Sequence, residues 1–225
     1  MKPFILFDLD QTLLNRHQSL ISFLNWQINF LQLVPQIKKT EFIERFLELD
    51  QNGKVWKDIV YEQLIQEFAI NNVEANELLQ IYINDFNKFC VPFEDATETI
   101  QNLVSKGHTL GLISNGKSPF QENNFKALGF NEYFSSVIVS AAVKLRKPDS
   151  KIFEYASAQL NCTPEQCIFV GDSAEADMFG AKNAGMKTIY FAEQPVENIP
   201  IHADLHIQRY LELEAAILKL SNDLD

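Results

Sequence analysis

The apolar run at residues 4–9, FILFDL, contains Asp8, and Asp10 follows just beyond it. Burying a carboxylate is costly unless it is paired or bound to a metal. Two of them at one such place must have something to hold or to attack. Three later apolar runs also end in groups able to share that work. Ser114 and Asn115 follow out of HTLGLIS, Lys147 stands in LRKPD beyond SVIVS, and Asp172 closes CIFVGD. These groups are scattered along the chain, so only the fold can gather them.

The elements that would do so are short. Each of the four runs predicts a strand, and KTIYFA and ADLHI predict two more. Helices are predicted at residues 94–106, 120–128, 150–160, up to Asn183, and 210–220, with Gly107, Gly129 and Gly185 as stops. Strand and helix in alternation with short connections predict an α/β class: a Rossmann-like parallel sheet with helices on both faces. In such a sheet ligands bind beyond the carboxyl ends of the strands. Asp8, Asp10, Ser114, Asn115, Lys147 and Asp172 all fall at that edge.

Residues 16–90 break the alternation. Leu20, Leu24, Ile28 and Leu31 recur at helical spacing, as do Phe42, Phe46 and Leu49, then Trp56, Val60 and Leu64, and finally Leu78, Tyr82 and Phe86. Asn52-Gly53 and Asn71-Asn72 read as breaks. The prediction is an all-helical domain at 16–90, inserted into a core domain made of 1–15 and 91–225.

A formal net charge of −11 argues against a nucleic-acid polymer or an anionic membrane as partner. It leaves room for a small phosphorylated metabolite, since one phosphate needs only a few local donors. No run approaches the ~18 uninterrupted apolar residues of a membrane span, and the start lacks a long apolar signal core. Cys90, Cys162 and Cys167 form an odd, sparse set that predicts free thiols and a cytoplasmic location. His202 and His206 have a spacing that suits a metal on a helix. ADLHI reads as a strand, so both histidines are taken as incidental.

In their order along the chain, these features resemble the haloacid dehalogenase superfamily of hydrolases, and the resemblance reaches most of the sequence. The family's first motif, D-x-D-x-T after an apolar strand, is matched by Asp8, Asp10 and Thr12. Its second, a Ser or Thr ending a strand, is matched by Ser114; its third by Lys147-Pro148; its acidic fourth by Gly171, Asp172 and Asp177. The helical insert resembles the cap of the family's first subclass, and SNG resembles small phosphatases that include nucleotidase-like members. There are two departures. Gln11 stands where Gly is frequent, and SAAVKLRKPD lacks the two acids and Gly often found after the Ser.

The resemblance implies a Mg²⁺-dependent phosphatase that hydrolyses a small phosphate monoester through an aspartyl phosphate. Asp8 is then the nucleophile. Asp8 and Asp172 offer side-chain oxygens to Mg²⁺, and Asp10 offers its backbone carbonyl. The carboxyl of Asp10 serves as general acid and base. Ser114 and the amide of Asn115 bind phosphoryl oxygens, Lys147 balances charge, Asp177 supports the metal or Lys147, and Thr12 hydrogen-bonds within the first loop. The insert closes over the site and reads the leaving group. SNG favours a nucleoside monophosphate; sugar phosphates and small organic phosphates stay open, as does the oligomeric state.

Several rival readings use the same residues. A haloacid dehalogenase needs neither a metal-held phosphate nor an acid for a departing halide, so Asp10 and Asp172 favour phosphoryl chemistry. A phosphomutase would keep every group. A phospho-accepting signalling module has its acceptor on a later strand than its acidic pair and has no place for the insert. A phosphate-binding protein without turnover would not require the full set.

Overall fold

The computed structural model describes residues 2–221. The chain divides into two compact units, Met1–Asn15 with Val91–Asp225, and Arg16–Cys90.

The unit Arg16–Cys90 contains four α-helices: α1 (Arg16–Leu31), α2 (Lys39–Asp50), α3 (Lys57–Glu67) and α4 (Ala75–Asp85). Their apolar stripes meet in a core rich in rings, with Phe23 edge-on to Tyr82 at 5.5 Å and Phe46 to Tyr61 at 5.5 Å. An ionic cluster lies among them. Arg16 clasps both oxygens of Asp50, at 2.8 and 2.9 Å, and Lys57 pairs with the same carboxylate. Asp50 also accepts from the Gly53 amide (2.8 Å), where Gln51 and Asn52 turn left-handed and end the helix. This is the break read at Asn52-Gly53.

The other unit is built on a six-stranded sheet. Its strands are β1 (Phe4–Phe7), β2 (Leu110–Ser114), β3 (Phe134–Val139), β4 (Cys167–Gly171), β5 (Lys187–Phe191) and β6 (Leu205–Ile207). Their order is β3-β2-β1-β4-β5-β6, with every neighbouring pair parallel. Ile5, Leu6 and Phe7 of β1 and Ile168, Phe169 and Val170 of β4 are fully enclosed, as strands covered on both faces must be. The chain runs outward from β1 to β2 and β3, then returns to the far side of β1 as β4. The strand order reverses there, which opens a crevice at the carboxyl ends of β1 and β4.

The flanking helices are α5 (Ala96–Ser105), α6 (Phe120–Ala127), α7 (Ser140–Val143), α8 (Ser150–Gln159), α9 (Gly180–Asn183) and α10 (Leu213–Ser221). Three elements differ from expectation. The SVIVS strand begins earlier, at Phe134, and yields Ser140 to α7. The helix expected up to Asn183 opens as a π-helical turn, Ala174–Phe179, before α9. The final helix opens as a 3₁₀ turn, Tyr210–Glu212. Among the described residues, no helix is long and apolar enough to cross a membrane.

Candidate active site

The Asp8 amide donates to the Val170 carbonyl (2.9 Å), so the first residue past β1 is still stitched to β4. The chain then folds back, with the Thr12 and Leu14 amides both bonding the Leu9 carbonyl. Gln11 takes φ +60°, a conformation that glycine adopts without penalty, at the position where the family often has Gly. The buried Tyr210 hydroxyl, far along the chain, donates to the Thr12 carbonyl (2.8 Å). Thr12 hydrogen-bonds within the first loop through its amide, while its enclosed hydroxyl has no hydrogen-bond partner among the described residues.

Lys147 is buried, and its ammonium lies 2.6 Å from Asp8 Oδ1 and 2.7 Å from Asp177 Oδ1. The ring of Phe169 lies 5.3 Å from it. Asp177, on the π-helical turn, is fully enclosed and accepts from the Ser173 amide through Oδ2 (2.9 Å). Gly171 makes this approach possible, because a Cβ there would meet Asp177 Oδ2 at 2.5 Å. Asp172 completes the group. Asp8, Asp172 and Asp177 each bring a carboxylate oxygen to within 4.8 Å of the others.

Three carboxylates therefore crowd together, with one ammonium paired to two of them. At an effective dielectric of ~20, two unit charges at that separation repel by on the order of 3 kcal/mol. Burial raises the pKa of Asp8, against the pull of Lys147. Burial, with Asp8 and Asp177 nearby, lifts Asp172 well above the usual carboxylate range. Burial also pushes Asp177 up to about 6, again against Lys147. Burial opposes the charge on Lys147, but Asp177 and Asp8 outweigh it and raise its pKa. Surplus negative charge on hard oxygen donors in a buried cleft is the donor set Mg²⁺ takes. The residues present fit that ion.

The remaining groups form the rim. Ser114 ends β2, opposite Val139 of β3, and is buried. The Asn115 side chain clamps the Lys147 backbone both ways, donating to its carbonyl (2.9 Å) and accepting from its amide (3.0 Å). Ser140 Oγ accepts from the Gly116 amide (3.0 Å), tying this loop to the end of β3. The Asp10 carboxylate accepts from Gln121 Nε2 at 2.5 Å. Sequence reasoning missed Gln121, Ser140, Tyr210 and the side-chain role of Asn115. Only Gly116, which leaves space beside Gln121, offered a signal.

The other sequence candidates lie elsewhere. His206 is on β6 and His202 packs against the Phe179 ring at 5.1 Å; neither joins the carboxylates. All three cysteines are free thiols, with Cys162 and Cys167 Sγ 3.5 Å apart.

The family of haloacid dehalogenase-like hydrolases matches residues 5–191, a span that holds every carboxylate of the cluster together with Lys147. The chain belongs to this family. The pyrimidine 5'-nucleotidase YjjG of Escherichia coli K12 is 30% identical over 203 residues, covering 85% of this chain and 88% of that protein. A glyceraldehyde 3-phosphate phosphatase of Methanothermobacter thermautotrophicus is 41% identical over 98 residues, which is 44% of this chain and 43% of that protein. Among solved structures, the HAD hydrolase YfnB from Bacillus subtilis bound to magnesium aligns over 96% of this chain and 98% of its own, with a TM-score of 0.77 at 22% identity. This hydrolase thus shares the family's fold as well as its sequence signature.

Proposed function

We propose that this hydrolase is a Mg²⁺-dependent phosphatase of small phosphate monoesters, working through a phosphorylated Asp8, with nucleoside monophosphates the first class to test. The observation that carries the reading is Lys147 held at 2.6 and 2.7 Å between Asp8 and Asp177, with Asp172 beside them. Similarity to a nucleotidase and to a sugar-phosphate phosphatase supports the substrate class.

Asp8 attacks phosphorus while Lys147 fixes its Oδ1. The ester P–O bond breaks, and the Asp10 carboxyl gives its proton to the departing oxygen. Water then attacks the aspartyl phosphate, Asp10 takes a proton from that water, and inorganic phosphate leaves with Asp8 restored. Ser114 and the Asn115 amide bind non-bridging oxygens, and the Asn115 side chain sets the backbone from which Lys147 reaches. The side chains of Asp8 and Asp172 and the backbone carbonyl of Asp10 would hold Mg²⁺. When bound, it supplies charge neutralisation between the nucleophilic carboxylate and the phosphoryl group.

A panel of phosphate esters, assayed for inorganic phosphate with and without Mg²⁺, tests this. Asp8→Asn should abolish Mg²⁺-dependent release while the far-ultraviolet circular dichroism holds. Wild-type turnover in that variant would remove Asp8 as nucleophile. No release of inorganic phosphate, with isomerisation of a sugar phosphate once a bisphosphate is added, would point to a mutase instead.

A further inference from the structure

We infer that Gln121 is a positioning residue for Asp10, and that it selects Oδ1 of that carboxyl as the oxygen that carries the proton. The inference rests on the reading of Asp10 as general acid and base. Gln121 lies on α6, is 4% exposed, and donates from Nε2 to Asp10 Oδ2 at 2.5 Å. A carboxylate can only accept, so the amide must present its nitrogen to Asp10 and its oxygen to the other side. On that other side, Asn124, 1% exposed, donates from Nδ2 to Gln121 Oε1 at 3.2 Å. The relay Asn124→Gln121→Asp10 therefore has one direction.

The surroundings leave the glutamine little freedom. A Cβ at Gly116 would meet Gln121 Cγ at 2.5 Å and Nε2 at 2.9 Å, so the loop after β2 passes directly against the amide. The Gly116 amide is itself held by Ser140 Oγ. With Oδ2 of Asp10 occupied by a donor, a proton in transit belongs on Oδ1. An acid whose proton has one address and whose plane is fixed loses less orientation on reaching the transition state. Without Gln121 the carboxyl can rotate, and proton delivery to the leaving oxygen falters while substrate binding does not.

Leaving-group dependence tests this. Phenyl phosphate needs its departing oxygen protonated more than p-nitrophenyl phosphate does. In Gln121→Met, kcat/KM for phenyl phosphate should fall about tenfold further than for p-nitrophenyl phosphate, with KM nearly unchanged. Gln121→Leu also removes the donor with a side chain of similar size, and should show the same discrimination, so a folding defect in one variant does not end the test. Asp10→Asn, run in parallel, should show that pattern more deeply. If Asp10→Asn discriminates and both Gln121 variants slow the two esters equally, the positioning role is overturned while Asp10 stands. If Asp10→Asn itself slows both equally, the acid role of Asp10 falls, and the inference with it.

Discussion

Lys147 spans two carboxylates, and a third lies within 4.8 Å of both. Lys147→Met would leave the buried Asp8 and Asp177 without their shared ammonium, beside the half-buried Asp172. Turnover should fall by about 10²–10³, the usual loss when one preorganised group is removed. The metal-free melting temperature should fall too, and Mg²⁺ should restore more of it than in the wild type. The pH dependence has a defined sign. Asp177 is raised to about 6 and Asp172 well above its ordinary value, so the folded metal-free protein binds more protons than the unfolded chain. Stability must then fall as pH rises through about 6. Metal requires those protons to leave, so Mg²⁺ binding should strengthen over the same interval. Melting curves in chelator from about pH 5 to 7.5, repeated at saturating Mg²⁺, check both; a chelated profile flat in pH would contradict the crowding of charge. Asp8, Asp10, Ser114, Lys147 and Asp172 were legible because each stands at or soon after the end of an oily run. Gln121 was not. A glutamine on a helix reads as a surface residue, and only the fold brings Asp10, Asn124 and the Gly116 loop around it.

Two devices stand out at the level of elements, one in each unit. One is the close approach at Gly171, where β4 hands over to the π-helical turn that carries Asp177. Gly171→Ala puts a Cβ 2.5 Å from Asp177 Oδ2, so the carboxylate must leave Lys147 or the turn must shift. Activity should drop at least about tenfold while the far-ultraviolet circular dichroism holds; an unimpaired enzyme would mean that Asp177 is not needed where it stands. The other device is the ionic cluster at the start of α1 and the end of α2. Asp50→Asn removes the carboxylate shared by Arg16 and Lys57, and should destabilise the helical unit by about 3–5 kcal/mol in denaturant melts. Burial works against the Asp50 charge, but Arg16 and Lys57 outweigh it and hold its pKa below the ordinary value. Its contribution is thus present above about pH 4 and fades as pH falls further. The strands were readable because a strand covered on both faces is a continuous apolar run. The π-helical turn was not, because six residues are too few for a helical period to reveal its pitch.

At the scale of the molecule, alternation predicted a parallel sheet with helices on both faces, while the order β3-β2-β1-β4-β5-β6 emerged only from the structure. The last part of the chain reaches the first loop in a way no pattern announces: Tyr210 and Thr12 are bonded across 198 positions. Tyr210→Phe should cost about 1–3 kcal/mol by leaving a buried carbonyl without its donor, and should slow turnover through the loop that carries Asp10. That single bond also has a meaning in time. A ribosome extends the chain from the amino end, so Asp8 emerges 139 residues before Lys147, and its loop waits longer still for the tyrosine that bonds it. A nascent chain that has not yet reached Lys147 and Tyr210 holds Asp8 and its loop without either contact.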